Sequence, residues 1–142
     1  MNTEQEISSA RHAVIQHLAA NGISPTRQRI EIGLCLFDAD KHVTADQLLE
    51  LVNSRFGDVS KATIYNTLGL FASKGLVREV VVDSTCQIYD TNTSAHHHLY
   101  NLDTAELKDV ELHEVQIVGL QDMQQEFDVE GVDVIIRVRN KA

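Results

Sequence analysis

Between Gly75 and Leu76 the period of the apolar residues changes, and this change limits the available folds more than any other feature of the chain. Upstream, the apolar residues recur at helical spacing in four segments. Residues 4 to 20 carry Ile7, Ala10, Val14, Ile15 and Leu18, and Asn21-Gly22 stops that run. A second segment follows Thr26, with Ile30, Leu34 and Phe37 on one face and Arg27 and Arg29 in its first turn, where they oppose the helix dipole. Thr44 and Gln47 form a capping box for a third helix, which begins at His42 and has Leu48, Leu49 and Val52 on its apolar side; Gly57-Asp58 ends it. Ser60 caps a fourth, in which Ile64, Leu68 and Phe71 face inward, Lys61, Tyr65 and Asn66 face outward, and Gly75 closes the helix.

From Leu76 the pattern alternates. LVREVVVDSTCQIYD reads as two strands around an Asp83-Ser84-Thr85 turn. Three helices followed by a hairpin form a winged helix-turn-helix, in which the helix starting at Ser60 enters a DNA major groove and the hairpin lies beside the backbone. After Asp90 the polar stretch TNTSA reads as a hinge. Two strands (HHHLYNLD and ELKDVEL), an amphipathic helix (VQIVGLQDMQQEF) and a last strand (VDVIIRVRN) are predicted beyond it. The expected class is α+β: a winged-helix DNA-binding domain over residues 1–90, a hinge at 91–94, and a small α/β dimerisation domain over 95–142. The second domain is near the lower size limit for independent stability, so an apolar strand such as VDVIIRV needs a partner sheet and a homodimer is expected.

The net charge of −9 opposes nucleic-acid binding at first sight. Residues 1–84 hold 8 Lys+Arg and 10 Asp+Glu, net −2, and residues 85–142 hold 4 and 11, net −7. The acidity thus lies mostly in the second half, and binding depends on a local basic face rather than on the total. Cys35, in the apolar run IGLCLF, reads as a buried structural thiol, and with Cys86 far away no disulfide framework is implied. The start MNTEQEISSARHAV has no signal-peptide pattern, and no apolar run is long enough for a membrane span, so a cytoplasmic protein is expected.

Three consecutive histidines, His96, His97 and His98, follow Asp90. On a strand, His96 and His98 share one face and His97 points away. If the chain stays extended back to Asp90, that carboxylate joins the same face. Two imidazoles and a carboxylate make part of a shell for Zn, Mn or Fe. His42 and Asp109 are candidates to complete it, although a helix-start His is more often a cap and a strand Asp more often solvated. His96 and His98 are expected to be partly exposed. His12, His17 and His113 read as surface residues. No Ser-His-Asp pattern, phosphate-binding glycine loop or HExxH is present, and no general base is marked, so an enzyme is not expected.

TRQR, KHVTADQL, SKATIYNTL and YDTNTSAHHH, in that order, resemble the ferric uptake regulator superfamily of metal-responsive repressors over about residues 20 to 139. YNTL, YDTNTS, HHH and VDVIIRVRN are most similar to its iron response regulator branch. The resemblance implies a regulatory metal site of His42, Asp90, His96, His98 and Asp109, a set that also matches the peroxide-sensing branch. It implies Fe2+ or Mn2+ as the ion, with Zn2+ able to bind in vitro. Haem at His96, His97 and His98 is implied by the branch alone, since no Cys-Pro motif accompanies the triplet. It implies DNA contacts from Arg27, Arg29, Ser60, Lys61, Tyr65 and Asn66 on an AT-rich inverted repeat in double-stranded DNA. Two departures follow. Asn101 and Thr104 stand where many members have the first CxxC pair, so folding without structural zinc is expected. Ala95, His97 and Gln116 replace ligands of a further site, which leaves one regulatory site per subunit. The expectation is an iron-responsive transcriptional regulator whose operator binding is gated by metal. The alternative is a metal or haem buffer without specific DNA binding.

Overall fold

Each helix of the first half starts at a hydroxyl. Thr3, Thr26, Thr44 and Ser60 are the N-caps of α1 (Glu4–Ala20), α2 (Arg27–Leu36), α3 (Ala45–Arg55) and α4 (Lys61–Ser73), and each side chain accepts the backbone N–H three residues on. These bonds satisfy donors that a helix start otherwise leaves open, typically at about 1 kcal/mol per cap. Thr44 and Gln47 close the predicted capping box reciprocally. The computed structural model describes residues 3–142. They divide into two units, one running to Thr93 and the other starting at Ser94.

In the first unit α2 is the central element. Every residue from Ile30 to Leu36 is buried, including Cys35, whose thiol is pushed up in pKa by that burial. A methyl placed on Gly33 would meet Val14 Cγ1 at 2.6 Å, so glycine permits the close approach of α1 and α2. Leu18, Leu48, Val52, Ile64, Leu68 and Phe71 complete the core at full burial. The apolar spacing of α1 overstates its buried face: Val14 and Leu18 are buried, whereas Ile7 is exposed.

The hairpin forms as β2 (Arg78–Asp83) and β3 (Cys86–Asp90), with a register irregularity between Val81 and Asp83. A further strand, β1 (His42–Val43), pairs antiparallel with β3 and gives a three-stranded sheet of order β1-β3-β2. His42 therefore belongs to a strand ahead of α3, which corrects its expected place at the helix start.

The second unit is a three-stranded sheet of order β5-β4-β6. β4 (His97–Asn101) lies in the middle, antiparallel to β5 (Glu106–Val110) and parallel to β6 (Ile135–Val138). The predicted amphipathic helix is reduced to α5 (Leu120–Glu126), because Gly119 adopts a left-handed φ of 90° and starts the helix late. A short 3-10 turn at Leu112–Glu114 precedes it. The last strand is likewise shorter than VDVIIRVRN. No residue of α5 is buried, and Leu112, Val118, Met123 and Phe127 are exposed.

A polar clasp ties the β4–β5 turn to the segment after β6. Asp103 accepts from Arg139 Nη1 and from the backbone N–H of Asn140, both at 2.8 Å, and Asn101 Nδ2 donates to Asn140 Oδ1 at 2.8 Å. The Asn140 N–H and the Arg139 guanidinium hold the Asp103 carboxyl below its ordinary pKa. Among the described residues, no helix is long and apolar enough to cross a membrane.

Candidate functional site

In the first unit the β1–β3 register sets His42 opposite Asp90. Residues directly opposed across an antiparallel pair bring their side chains together, and His42 Nε2 lies 3.3 Å from Asp90 Oδ2. Asp90 is fully buried, and its Oδ1 accepts the backbone N–H of Asn92 at 2.9 Å. A carboxylate withdrawn from water needs partners of this kind, because burying a charge without them is costly. Thr91 and Lys41 extend the pairing: Thr91 N–H donates to Lys41 O at 3.0 Å, and Lys41 N–H donates to Thr91 Oγ1 at 2.8 Å.

The second unit repeats this construction. His98 stands opposite Asp109 in the β4–β5 register. His98 Nε2 is 3.7 Å from Asp109 Oδ1, and His96 Nε2 is 3.3 Å from the same oxygen. His96 and His98 bring their Nε2 atoms to 3.0 Å of each other. Two nitrogens bound to one ion at about 2.1 Å lie roughly 3.0 Å apart at a right-angled coordination and about 3.4 Å apart at a tetrahedral one. The observed separation matches adjacent ligands of a single ion. His96 is also oriented from behind. Its Nδ1 lies 2.6 Å from the carbonyl of Ser94, which can only accept, so Nδ1 donates there and Nε2 is the nitrogen turned toward His98 and Asp109.

Two expectations about the histidines need correction. His96 and His98 are 3% and 2% exposed, not partly exposed; His98 is on β4, the middle strand of its sheet, and His96 immediately precedes that strand. Asp90 does not share a strand face with His96, since β3 ends at Asp90 and β4 begins only at His97. Its likeness of parity to the histidines is a coincidence of counting. His97 is buried as well, and its Nδ1 has no hydrogen-bond partner.

The predicted DNA-facing side chains lie on the first unit. Arg27, Arg29 and Asn66 line one surface hollow of about 420 Å³, so the first turn of α2 and the outer side of α4 adjoin. Tyr65, 46% exposed, lines a second groove with Asp46 and the β2–β3 turn. Ser60 Oγ is committed to its cap, accepting from Thr63 N at 3.1 Å. Arg27 and Lys61, each at a helix start, both meet carboxylates, and of the two pairs only Arg27–Glu31 has the i,i+4 spacing that a sequence can show. Arg27 Nε donates to Glu31 Oε1 at 2.9 Å, and Lys61 Nζ lies 3.0 Å from Asp46 Oδ1. That hydrogen bond, Asp46's charge and Tyr65 raise the pKa of Lys61. Sequence spacing does not show the second pair, because Asp46 and Lys61 lie on different helices.

The ferric uptake regulator family model matches residues 20–137. The peroxide-responsive repressor PerR of Staphylococcus aureus (strain Mu50) is 30% identical over 128 residues, covering 87% of this chain and 86% of that protein. Among solved structures, the ferric uptake regulator from Pseudomonas aeruginosa with manganese superposes with a TM-score of 0.67 at 23% identity, covering 91% of this chain and 98% of that one. The ferric uptake regulator from Francisella tularensis with iron gives 0.66 at 20% identity, covering 84% and 93%. At these identities the two structures speak for the fold.

Proposed function

The chain belongs to the ferric uptake regulator family, a family of transcription regulators rather than enzymes, and from that premise we propose a homodimeric repressor whose DNA binding is gated by one divalent ion per subunit. The observation that carries this reading is the 3.0 Å approach of His96 Nε2 and His98 Nε2 beside Asp109. His96, His98 and Asp109 would hold the ion from the second unit, and His42 and Asp90 from the first. Three imidazole nitrogens and two carboxylates exceed the four ligands of a tetrahedral zinc site and suit Fe2+ or Mn2+. Zinc would compete in vitro by its higher intrinsic affinity.

A ligand shared by two units favours whichever arrangement brings all its donors together, and so shifts the population of DNA-competent dimers. The chemistry that the ion supplies is this linkage. The chain supplies the rest: the β4–β5 register sets His98 opposite Asp109, the Ser94 carbonyl orients His96, and the Asn92 N–H holds Asp90. In the first unit, α4 enters the major groove with Tyr65 against a thymine methyl and Asn66 on adenine, while Arg27, Arg29 and Lys61 reach phosphates of an AT-rich inverted repeat. Ser60 sets the start of that helix. The exposed apolar side chains of the second unit, Leu112, Val118, Met123 and Phe127, support a homodimer. Such a repressor works in the cytoplasm.

Peroxide response is the refinement that relatedness to the staphylococcal repressor favours. Haem at the triplet is the other, and the buried, unpartnered Nδ1 of His97 is the feature that favours it. Gel shift on an AT-rich inverted repeat and on a random duplex tests the central reading. Protein loaded with Mn2+, or with Fe2+ under anaerobic conditions, should bind the repeat more tightly than chelator-treated protein. Metal binding without preference for any duplex would identify a metal buffer instead.

A further inference from the structure

We infer that Asp46 is a specificity-determining residue of the DNA interface, an internal anion that occupies Lys61 and lowers affinity for non-cognate DNA. The inference rests on the DNA-binding role proposed above. Asp46 is the second residue of α3 and Lys61 the first of α4, so the two helix starts meet at this ion pair. Both side chains are well exposed, at 71% and 57%, and Lys61 Nζ also sits 5.9 Å from the Tyr65 ring centroid. The pair therefore lies among the residues that would face DNA, and no packing requires it.

An exposed ion pair is worth little to the fold, so its effect on what approaches from solvent matters more. Non-specific binding to DNA comes from cations that neutralise phosphates and release counterions. Lys61 carries one compact charge, and Asp46 already neutralises it. A phosphate must displace the carboxylate, which then remains nearby as a repelling charge. Arg27 differs. Its bond to Glu31 uses Nε alone, and the two terminal nitrogens take no part in it. Glu31 is buried, so that pair orients a guanidinium on a side chain that stays 80% exposed. In a chain of net charge −9, Asp46 thus removes one of the few cations at the interface unless the correct sequence secures the rest of the contact.

The test is fluorescence anisotropy of the full chain, loaded with Mn2+, on a random-sequence 30-base-pair duplex between 50 and 200 mM KCl. Wild type, D46N, K61A and the double variant are compared. D46N is expected to bind about threefold or more tighter, with a log–log salt slope steeper by about 0.9 for each subunit engaged. In the K61A background the same substitution should give little or no gain. Unchanged or weaker binding by D46N overturns the inference, as does a gain that persists in full without Lys61. If wild type binds and D46N gains nothing, only the role of Asp46 falls. If no variant binds any duplex in a salt-dependent way, the regulator reading falls, and this inference with it.

Discussion

His98 and Asp109 face each other across the antiparallel β4–β5 pair, as His42 and Asp90 do across β1–β3. One His–Asp cross-strand pair in each unit is the framework of the proposed site. Strand register is fixed by burial and by the ladder of hydrogen bonds, so within each unit the pair is positioned before any ion arrives. Preorganisation of this kind has consequences for stability as well as for binding.

His98→Ala should lower both metal affinity and apoprotein stability. The side chain is 2% exposed in the middle strand, so truncation leaves a cavity. A loss of about 1–3 kcal/mol is expected, read as a lower melting temperature by circular dichroism in chelator. An unchanged melting temperature would show that the strand relaxes around the gap.

His97→Leu separates metal from haem. The Nδ1 of His97 is buried without a partner, and replacing an unsatisfied polar atom by an apolar group of similar size is close to neutral or stabilising. Thermal stability should not fall and Mn2+ affinity should hold. A fall in Mn2+ affinity comparable to that of His98→Ala would place His97 in the site.

Gly33→Ala should destabilise the first unit. Its new methyl would meet Val14 Cγ1 at 2.6 Å, and overpacking of this kind costs about 1–3 kcal/mol. Chemical denaturation measures it, and Gly33→Ala with Val14→Ala should recover part of the loss.

The Asp103 clasp predicts an acid limit for the C-terminal end. Because the folded carboxyl is held below its ordinary pKa, the stability it contributes is present above the unfolded value near 3.9. It is lost as pH falls through the lower folded value. Hydrogen exchange at the Asn140 amide should be protected at neutral pH, faster in Asp103→Ala, and unaffected by zinc chelators. Protection lost on chelation would point to a structural metal.

The helices of the first unit were legible because each carries its own punctuation. Thr44 with Gln47, Ser60, Gly57 and Gly75 mark ends by local chemistry that needs no tertiary information. The hairpin announced itself by alternation. β1 did not, since two residues make no period and only pairing with β3 defines it. The extent of α5 was misread because amphipathic spacing around Gly119 takes no account of its left-handed backbone. For the site, His96 and His98 do meet at their Nε2 atoms, although His96 precedes β4 and the strand-face argument covers only His98. Parity could say nothing of Asp109, whose position depends on the β4–β5 register, nor of burial, which depends on β4 being central. The Asp46–Lys61 pair joins two helices and has no spacing rule at all.

The central claim is that the two His–Asp pairs serve one ion. Calorimetric titration of Mn2+ into chelator-treated wild type, His42→Ala and Asp109→Asn tests it most directly, because both side chains are partly exposed and their loss should leave the fold intact. The account predicts one Mn2+ per subunit in wild type and a loss of roughly tenfold or more in each variant, at least as large as removing an outer partner of a metal ligand costs. Unchanged affinity in His42→Ala with affinity lost in Asp109→Asn would show that the second unit binds metal alone, and would contradict gating by a shared site.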